Sequence, residues 1–421
     1  MIYLNRVKNK LFLFLYGLAF LIRINLIGLI SVSEICALSY FPFSIIKRFF
    51  RTIPVLKKIA ITYLVLLLSF VLSDIVNGSD PADYLRGWAI MIFSFISFWF
   101  ILSQIRENVR YFVFLLAGTF FTYFIWGGEG SDINLLLMEE NTNYFKVRIM
   151  GFANPAVILI SYCLCIRKHK LLALLTLFVY ALICIVLDAR SNSLVFFIAL
   201  ALLWFKFYRI KINRSFILIW LFFFMVISYM AYYYYVEQVL HHDFGGSNAQ
   251  TQLSRATNPY NPFELLYQGR SDVFIVIEVI KDRPVLGYGS WSKISKELEM
   301  KLYINQFWRE YAARGSEKGY IPSHSVLLTA WLWGGILAFL AILYLFYLFV
   351  KMSVSVYKRC DDMPILLIIT PLFIEIIWHF CFSPFGHLRT SIPFILALVT
   401  VTYSQLPARM NTRKEPVNTY I

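Results

Sequence analysis

The sequence predicts an all-α polytopic integral membrane protein, and three observations carry that prediction. Apolar residues make up 59% of the 421 and charged residues only 15%, with a mean hydropathy of +0.67. A soluble domain holds about 45–50% apolar and about 25% charged residues, so a water-facing globule could not hide this many apolar side chains. Uncharged runs long enough to cross a bilayer recur along the whole chain, and lysine and arginine gather between alternate runs.

The spans follow in order. The first apolar stretch, 11–46, exceeds one helix and is interrupted at Arg23 and Asn25, which predicts a hairpin of two short spans. Its basic start has the look of a signal peptide, but so many spans follow that it reads as the first of them. Clear runs lie at 87–105, 111–128, 171–187, 215–236, 325–350 and 390–408, near the roughly 17–25 residues a spanning helix needs. Weaker ones lie at 59–73, 149–166, 191–205 and 363–382. The sum is about twelve transmembrane helices. With no Pro/Gly/Ser linker and no long repeat, residues 1–421 form a single membrane domain.

Charge orients the chain. With the N-terminus in the cytoplasm and the loops alternating, the inner segments collect 23 of the 39 Lys and Arg, beside only Glu107, Asp361, Asp362 and Glu415. The formal net charge of +15 is therefore the positive-inside pattern, with both termini cytoplasmic, and not a nucleic-acid footprint. Only Glu34 and Glu375 fall inside spans. The six cysteines lie in spans or, for Cys360, in a cytoplasmic loop, which predicts packing residues and no disulfide framework.

The one sizeable polar segment, 237–323, is expected as a large outer-face loop between spans 9 and 10. It opens irregularly around His241, His242 and Asp243. No third ligand stands at metal spacing there, so no metal site is predicted. Val273, Phe274, Val276, Ile277 and Ile280 then recur at helical spacing and predict a short amphipathic helix over 270–283, ended by Pro284. A second helical stretch is expected over about 293–309.

Arg86, Arg148, Arg190, Arg270 and Arg389 all fall at outer ends of spans under this topology. A single arginine at a membrane edge is most often a headgroup anchor. Five at one depth suit a different task, since the guanidinium fork grips phosphate bidentately. His324, at the start of a long outer-to-inner helix, adds an imidazole to this set, the side chain type suited to acid and base work.

These residues carry a resemblance. Gly269-Arg270-Ser271-Asp272, Arg283-Pro284-Val285-Leu286-Gly287-Tyr288-Gly289 and Pro322-Ser323-His324-Ser325, with Leu328 and Gly334-Gly335 following, resemble the C-terminal part of the bacterial O-antigen polymerase/ligase family. Upstream, Asp188-Ala189-Arg190-Ser191-Asn192-Ser193 sits where that family carries an Arg-Ser turn, and Gly151-Phe152-Ala153-Asn154-Pro155 where it carries a Gly-Phe-x-Asn-Pro run. The family's layout of about twelve spans, with a long outer loop before the tenth, is similar to the layout read above.

The resemblance implies a metal-independent membrane glycosyltransferase of lipopolysaccharide biosynthesis, needing no cofactor. Such an enzyme moves a glycan from a polyprenyl (undecaprenyl) diphosphate carrier to an acceptor hydroxyl on the periplasmic face of the bacterial inner membrane. Arg190 and Arg270 match the family arginines that neutralise the leaving diphosphate, and His324 matches its histidine, for which general base is the role imidazole chemistry allows. Arg148, Asn154, Arg86 and Arg389 are expected to bind substrate. The implied partners are the lipid-linked glycan, an acceptor glycan or lipid A-core, and a chain-length regulator protein. Gly335 fits the ligase pattern downstream of the histidine but Ala338 does not, so surface-polysaccharide polymerase leads and O-antigen ligase is the alternative. A flippase for lipid-linked glycans is the rival from another class; such transporters carry charged residues around a midplane cavity.

Overall fold

The computed structural model describes residues 2–25, 28–39, 50–127, 145–187, 189–209, 271–302, 319–321 and 323–412, with scattered residues between 226 and 262. The first helix, α1 (Ile2–Leu18), leads into a two-stranded antiparallel hairpin, β1 (Arg23–Asn25) and β2 (Leu29–Ser31), and then α2 (Val32–Ser39). Long helices follow: α3 (Pro54–Asn77), α4 (Pro81–Ile105), α5 (Phe112–Trp126), α6 (Met150–Ile166), α7 (Lys170–Val186) and α8 (Arg190–Phe207). Two short helices, α9 (Ser271–Asp282) and α10 (Lys296–Leu302), precede α11 (Val326–Arg359), α12 (Met363–Phe382), the four-residue α13 (His387–Thr390) and α14 (Ile392–Thr412).

Among the described residues, six segments are long and apolar enough to cross a bilayer: Pro54–Asn77, Pro81–Ile105, Val109–Trp126, Arg190–Phe207, Val326–Arg359 and Met363–Phe382. Met150–Ile166, Lys170–Val186 and Ile392–Leu406 are shorter apolar helices. The lateral surface agrees with a lipid solvent. On α3, Ile59, Tyr63, Leu66 and Phe70 are buried, while Ile61, Leu64, Leu68, Leu72 and Ile75 are at least half exposed. Both stripes are apolar at helical spacing, so the outward one faces something as apolar as the core. The chain is a multi-pass, helical membrane protein.

The region expected as two short spans over 11–46 differs in its middle. Arg23 and Asn25 belong to β1, and the Ser31 hydroxyl at the end of β2 donates to the carbonyl of Phe20 at 2.8 Å. The hairpin satisfies backbone groups where Arg23, Asn25 and Gly28 interrupt the apolar run. Most of the expected run 215–236 lies outside the described residues. In the polar segment the first expected helix is present as α9. The second begins later than expected, at Lys296, and residues 303–318 lie outside the described residues.

A set of contacts defines one end of the bundle. Arg110 pairs with Asp362 at 3.1 Å, Gln405 donates to the carbonyl of Arg106, and Lys206 Nζ donates to the carbonyl of Lys358. These join the start of α5, the ends of α4, α8 and α11 and the start of α12 at what is called here the Arg110 end. At the opposite, Arg389 end, α3 and α12 finish, α4 and α8 begin, and the β-hairpin closes over α13.

α11 is interrupted. Gly335 stands at φ +71°, ψ −167° in mid-helix. The broken ladder is completed by a turn from 50 residues upstream: Ile336 N donates to Val285 O, Tyr288 N to Leu332 O at 2.7 Å, and Gly289 N to Trp333 O. Non-helical backbone at membrane depth is tolerated only where protein satisfies it, and residues 285–289 do so here. Ser290, next in sequence, is bound through its N–H and hydroxyl to the buried carboxylate of Asp74, which also accepts from Ser79 and Trp88. The polar segment is thereby clamped to α3 and α11.

Candidate functional site

At the Arg389 end the short α13 carries Arg389 into the bundle beneath the β-hairpin. Its Nε donates to Glu34 Oε1 at 2.6 Å and its Nη2 to Glu34 Oε2 at 2.5 Å and to the carbonyl of Leu29 at 3.0 Å. The guanidinium also lies 5.0 Å from the Phe93 ring centroid. Glu34, noted in the sequence as an acid inside a span, is thus a buried partner contributed by α2.

Around this pair opens a cavity of about 800 Å³, walled by the β-hairpin, the first turns of α4 and the segment 384–390. Arg23, Arg86 and Arg389 line it with Glu34, so three guanidinium groups face one carboxylate. Arg86 is 3.8 Å from Asp83 and remains 44% exposed. A cavity wall that carries three guanidinium groups favours an anion.

A second cavity, of about 400 Å³, adjoins the first; Phe20, His387 and Thr390 line both. Its walls come from α5, α6, α12 and α14, and it holds Tyr123, Asn154, Glu375 and His379. The His379 and His387 rings stack with centroids 3.8 Å apart and planes 18° apart. His379 Nδ1 lies 2.9 Å from Ser383 Oγ and its Nε2 3.6 Å from Glu375 Oε1, while His387 Nδ1 lies 3.3 Å from Ser391 Oγ. Burial, and then the neighbouring His379, push the pKa of His387 down to about 3, so its imidazole is neutral at physiological pH.

The sequence-predicted residues divide into three groups. Arg86, Arg389 and Asn154 meet at the two adjoining cavities. Asn154 exchanges amide hydrogen bonds with Asn192 at 3.0 and 3.1 Å and accepts from the Tyr180 hydroxyl, which ties α6, α7 and α8 together. Gly151, one turn earlier, leaves the space that the Tyr123 ring fills. Arg190, the first residue of α8, donates to the Tyr235 hydroxyl at 2.9 Å and lies over that ring. His324 is exposed just before α11, where Ser325 caps the helix and donates to the carbonyl of Phe380 near the end of α12. The exposed Arg148 rests on the turn at Gly127, where an added β-carbon would lie 3.2 Å from its Nε. Arg148, Arg190 and His324 share the Arg389 end but line neither cavity. Arg270 lies outside the described residues.

Sequence reasoning passed over His379 and His387. The available signal was Glu375-x-x-x-His379, an ionisable pair one turn apart on an apolar helix. Beyond the cavities, Lys293 bridges Asp80 at 2.6 Å and Asp83 at 3.1 Å, and both carboxylates raise its pKa. Tyr288 hydrogen-bonds Asp282 and so, with Lys301, lowers that carboxyl's pKa. Lys293 thus fixes the polar segment over the start of α4, and the Asp282 contacts tie α9 to α10. Comparison of the chain with family models, with curated proteins and with solved structures returns no match.

Proposed function

We propose that the protein is a membrane glycan transferase that moves a polyprenyl-diphosphate-linked oligosaccharide to an acceptor hydroxyl at the Arg389 end of the bundle. The observation that carries this reading is the cavity of about 800 Å³ with Arg23, Arg86 and Arg389 in its wall. Its guanidinium groups suit a diphosphate, whose charge grows as it leaves and must be neutralised by groups already in place. A lipid-linked donor also explains a polar reaction chamber inside a helical membrane bundle, because the carrier's tail stays in the bilayer. The charge pattern supports about twelve spans with both termini in the cytoplasm, which turns the Arg389 end to the periplasm. Surface-polysaccharide polymerase is the leading activity and O-antigen ligase the alternative. In this reading Arg190, Arg270 and His324 serve the same transfer, His324 being the histidine that the resemblance matches.

The deciding assay uses purified protein in lipid nanodiscs with undecaprenyl-diphosphate-linked oligosaccharide. Products are followed by mass spectrometry, in excess chelator. Longer glycans with release of undecaprenyl diphosphate support a polymerase, and product only on added lipid A-core supports a ligase. Arg86→Ala should cut the rate by about 10²-fold or more. Movement of intact donor across the bilayer without bond cleavage would overturn the reading in favour of a flippase, for which the Glu375–His379 pair on a spanning helix is the supporting feature.

A further inference from the structure

We propose that the smaller cavity receives the acceptor sugar and that His387, at its junction with the arginine-lined cavity, takes the proton from the attacking hydroxyl. The proposal rests on the glycan-transfer reading and assigns it a second subsite and a base different from His324.

The placement argues for it. His387 belongs to the walls of both cavities, so a bond formed between a donor in one and an acceptor in the other forms beside its ring. Its Nδ1 is engaged by Ser391, and among the described residues Nε2 has no hydrogen-bond partner. The ring plane is set by the stack on His379, which Ser383 and Glu375 hold from either side. His379 and Glu375 are therefore positioning residues. Within a largely aliphatic wall the chamber offers the rings of Phe20, Phe112 and Phe394 and the polar side chains of Asn154, Glu375 and His379, against which a saccharide can stack and hydrogen-bond. His324, by contrast, is exposed and lines neither cavity.

The step balances without a further reactant. The acceptor oxygen bonds to the anomeric carbon of the donor sugar as the bond from that carbon to the diphosphate oxygen breaks. The diphosphate leaves with the bonding pair, the hydroxyl proton passes to His387 Nε2, and from there it goes to the departing diphosphate or to solvent. A base must be unprotonated beforehand, and burial beside His379 keeps this ring neutral in the unliganded protein. The charges facing it are His379 and Glu375 from α12, Arg389 from its own helix, Arg23 and Glu34 from the hairpin side and Arg86 from α4. Diphosphate bound among those arginines adds negative charge and raises the proton affinity of the imidazole when it is needed.

The test compares His387→Ala with His324→Ala in the nanodisc assay, with binding of the undecaprenyl-diphosphate donor measured separately. For His387→Ala, kcat should fall by about 10²–10⁴-fold with donor Kd unchanged. Added imidazole should restore part of the rate, and only where the imidazole is unprotonated. His379→Phe, which keeps the stacking surface, should retain more activity than His379→Ala, as a positioning role requires. If His387→Ala folds, binds donor and transfers at the wild-type rate, the proposal is overturned. It is overturned equally if imidazole rescues His324→Ala and not His387→Ala. Wild-type protein that yields no glycosidic product sinks the function itself and this assignment with it, whereas active wild type with an indifferent His387 sinks the assignment alone.

Discussion

Gly287 packs against the broken turn of α11 so closely that a β-carbon on it would lie 2.7 Å from the backbone nitrogen of Gly335 and 2.7 Å from the carbonyl oxygen of Leu332. Both glycines also hold positive φ, at +72° and +71°. Gly287→Ala and Gly335→Ala each add a clash to the strain of that conformation, about 1–3 kcal/mol before any hydrogen bond is lost. Gly78, at φ +62° with open space around its Cα, separates the two costs. Gly78→Ala should lower the thermal midpoint in detergent modestly, and the other two should lower it several-fold more. Equal shifts in all three would show that the crowding is relieved by movement of the turn.

The Glu34–Arg389 pair makes the cavity wall stable as well as charged. Arg389→Ala strands a carboxylate whose side chain is only 5% exposed, a loss of about 3–5 kcal/mol when one partner of a buried pair is removed. Glu34→Gln together with Arg389→Gln removes both charges and should recover much of that stability. Protein yield and thermal midpoint report it. Arg86, in the same wall but half exposed, should leave stability unchanged when replaced by Ala, so that its effect on turnover is read cleanly.

His387 gives folding stability a pH dependence with a defined sign. Its pKa is about 3 in the folded protein and about 6.5 when unfolded, so between those values the unfolded chain binds a proton that the folded chain refuses. Stability from this source is intact above about pH 6.5 and falls as the solution is acidified, by roughly 2 kcal/mol at pH 5. His387→Gln should therefore lose less of its thermal midpoint between pH 7.5 and pH 5 than the wild type does. Parallel losses would mean that the ring is protonated in place, without unfolding.

Orientation is checked by reporter fusions. Fusions after Lys58 and Lys211 should report cytoplasm, and one after Gln250 the outer face. A cytoplasmic signal at Gln250 would place the Arg389 end on the wrong side for a periplasmic acceptor.

The spans were legible because hydropathy and length alone decide whether a helix crosses a bilayer, and runs such as 87–105 and 363–382 need no partner to be seen. Contacts between distant residues left no such mark. Glu34 and Arg389 stand 355 residues apart, and nothing local to either announces the other. The interruption at Gly335 is marked only by the Gly334-Gly335 pair, since the apolar run continues through it without proline. Lys293 was expected within a helix of the polar segment, yet it lies outside α10 and binds two carboxylates at the start of α4. The arginines drew attention to the Arg389 end of the bundle, where the two cavities lie. The stacked histidines did not stand out, because each alone is a common interfacial residue.

The interruption of α11 bears on how the protein is made. A segment emerging alone into lipid can satisfy Ile336 N–H only by closing its own helical ladder, because an open group there costs several kcal/mol. The break becomes favourable once residues 285–289 arrive to replace the lost bonds. The break in α11 and the docking of residues 285–289 are therefore coupled, and a chain in which that turn does not dock would hold a straight helix through Gly335.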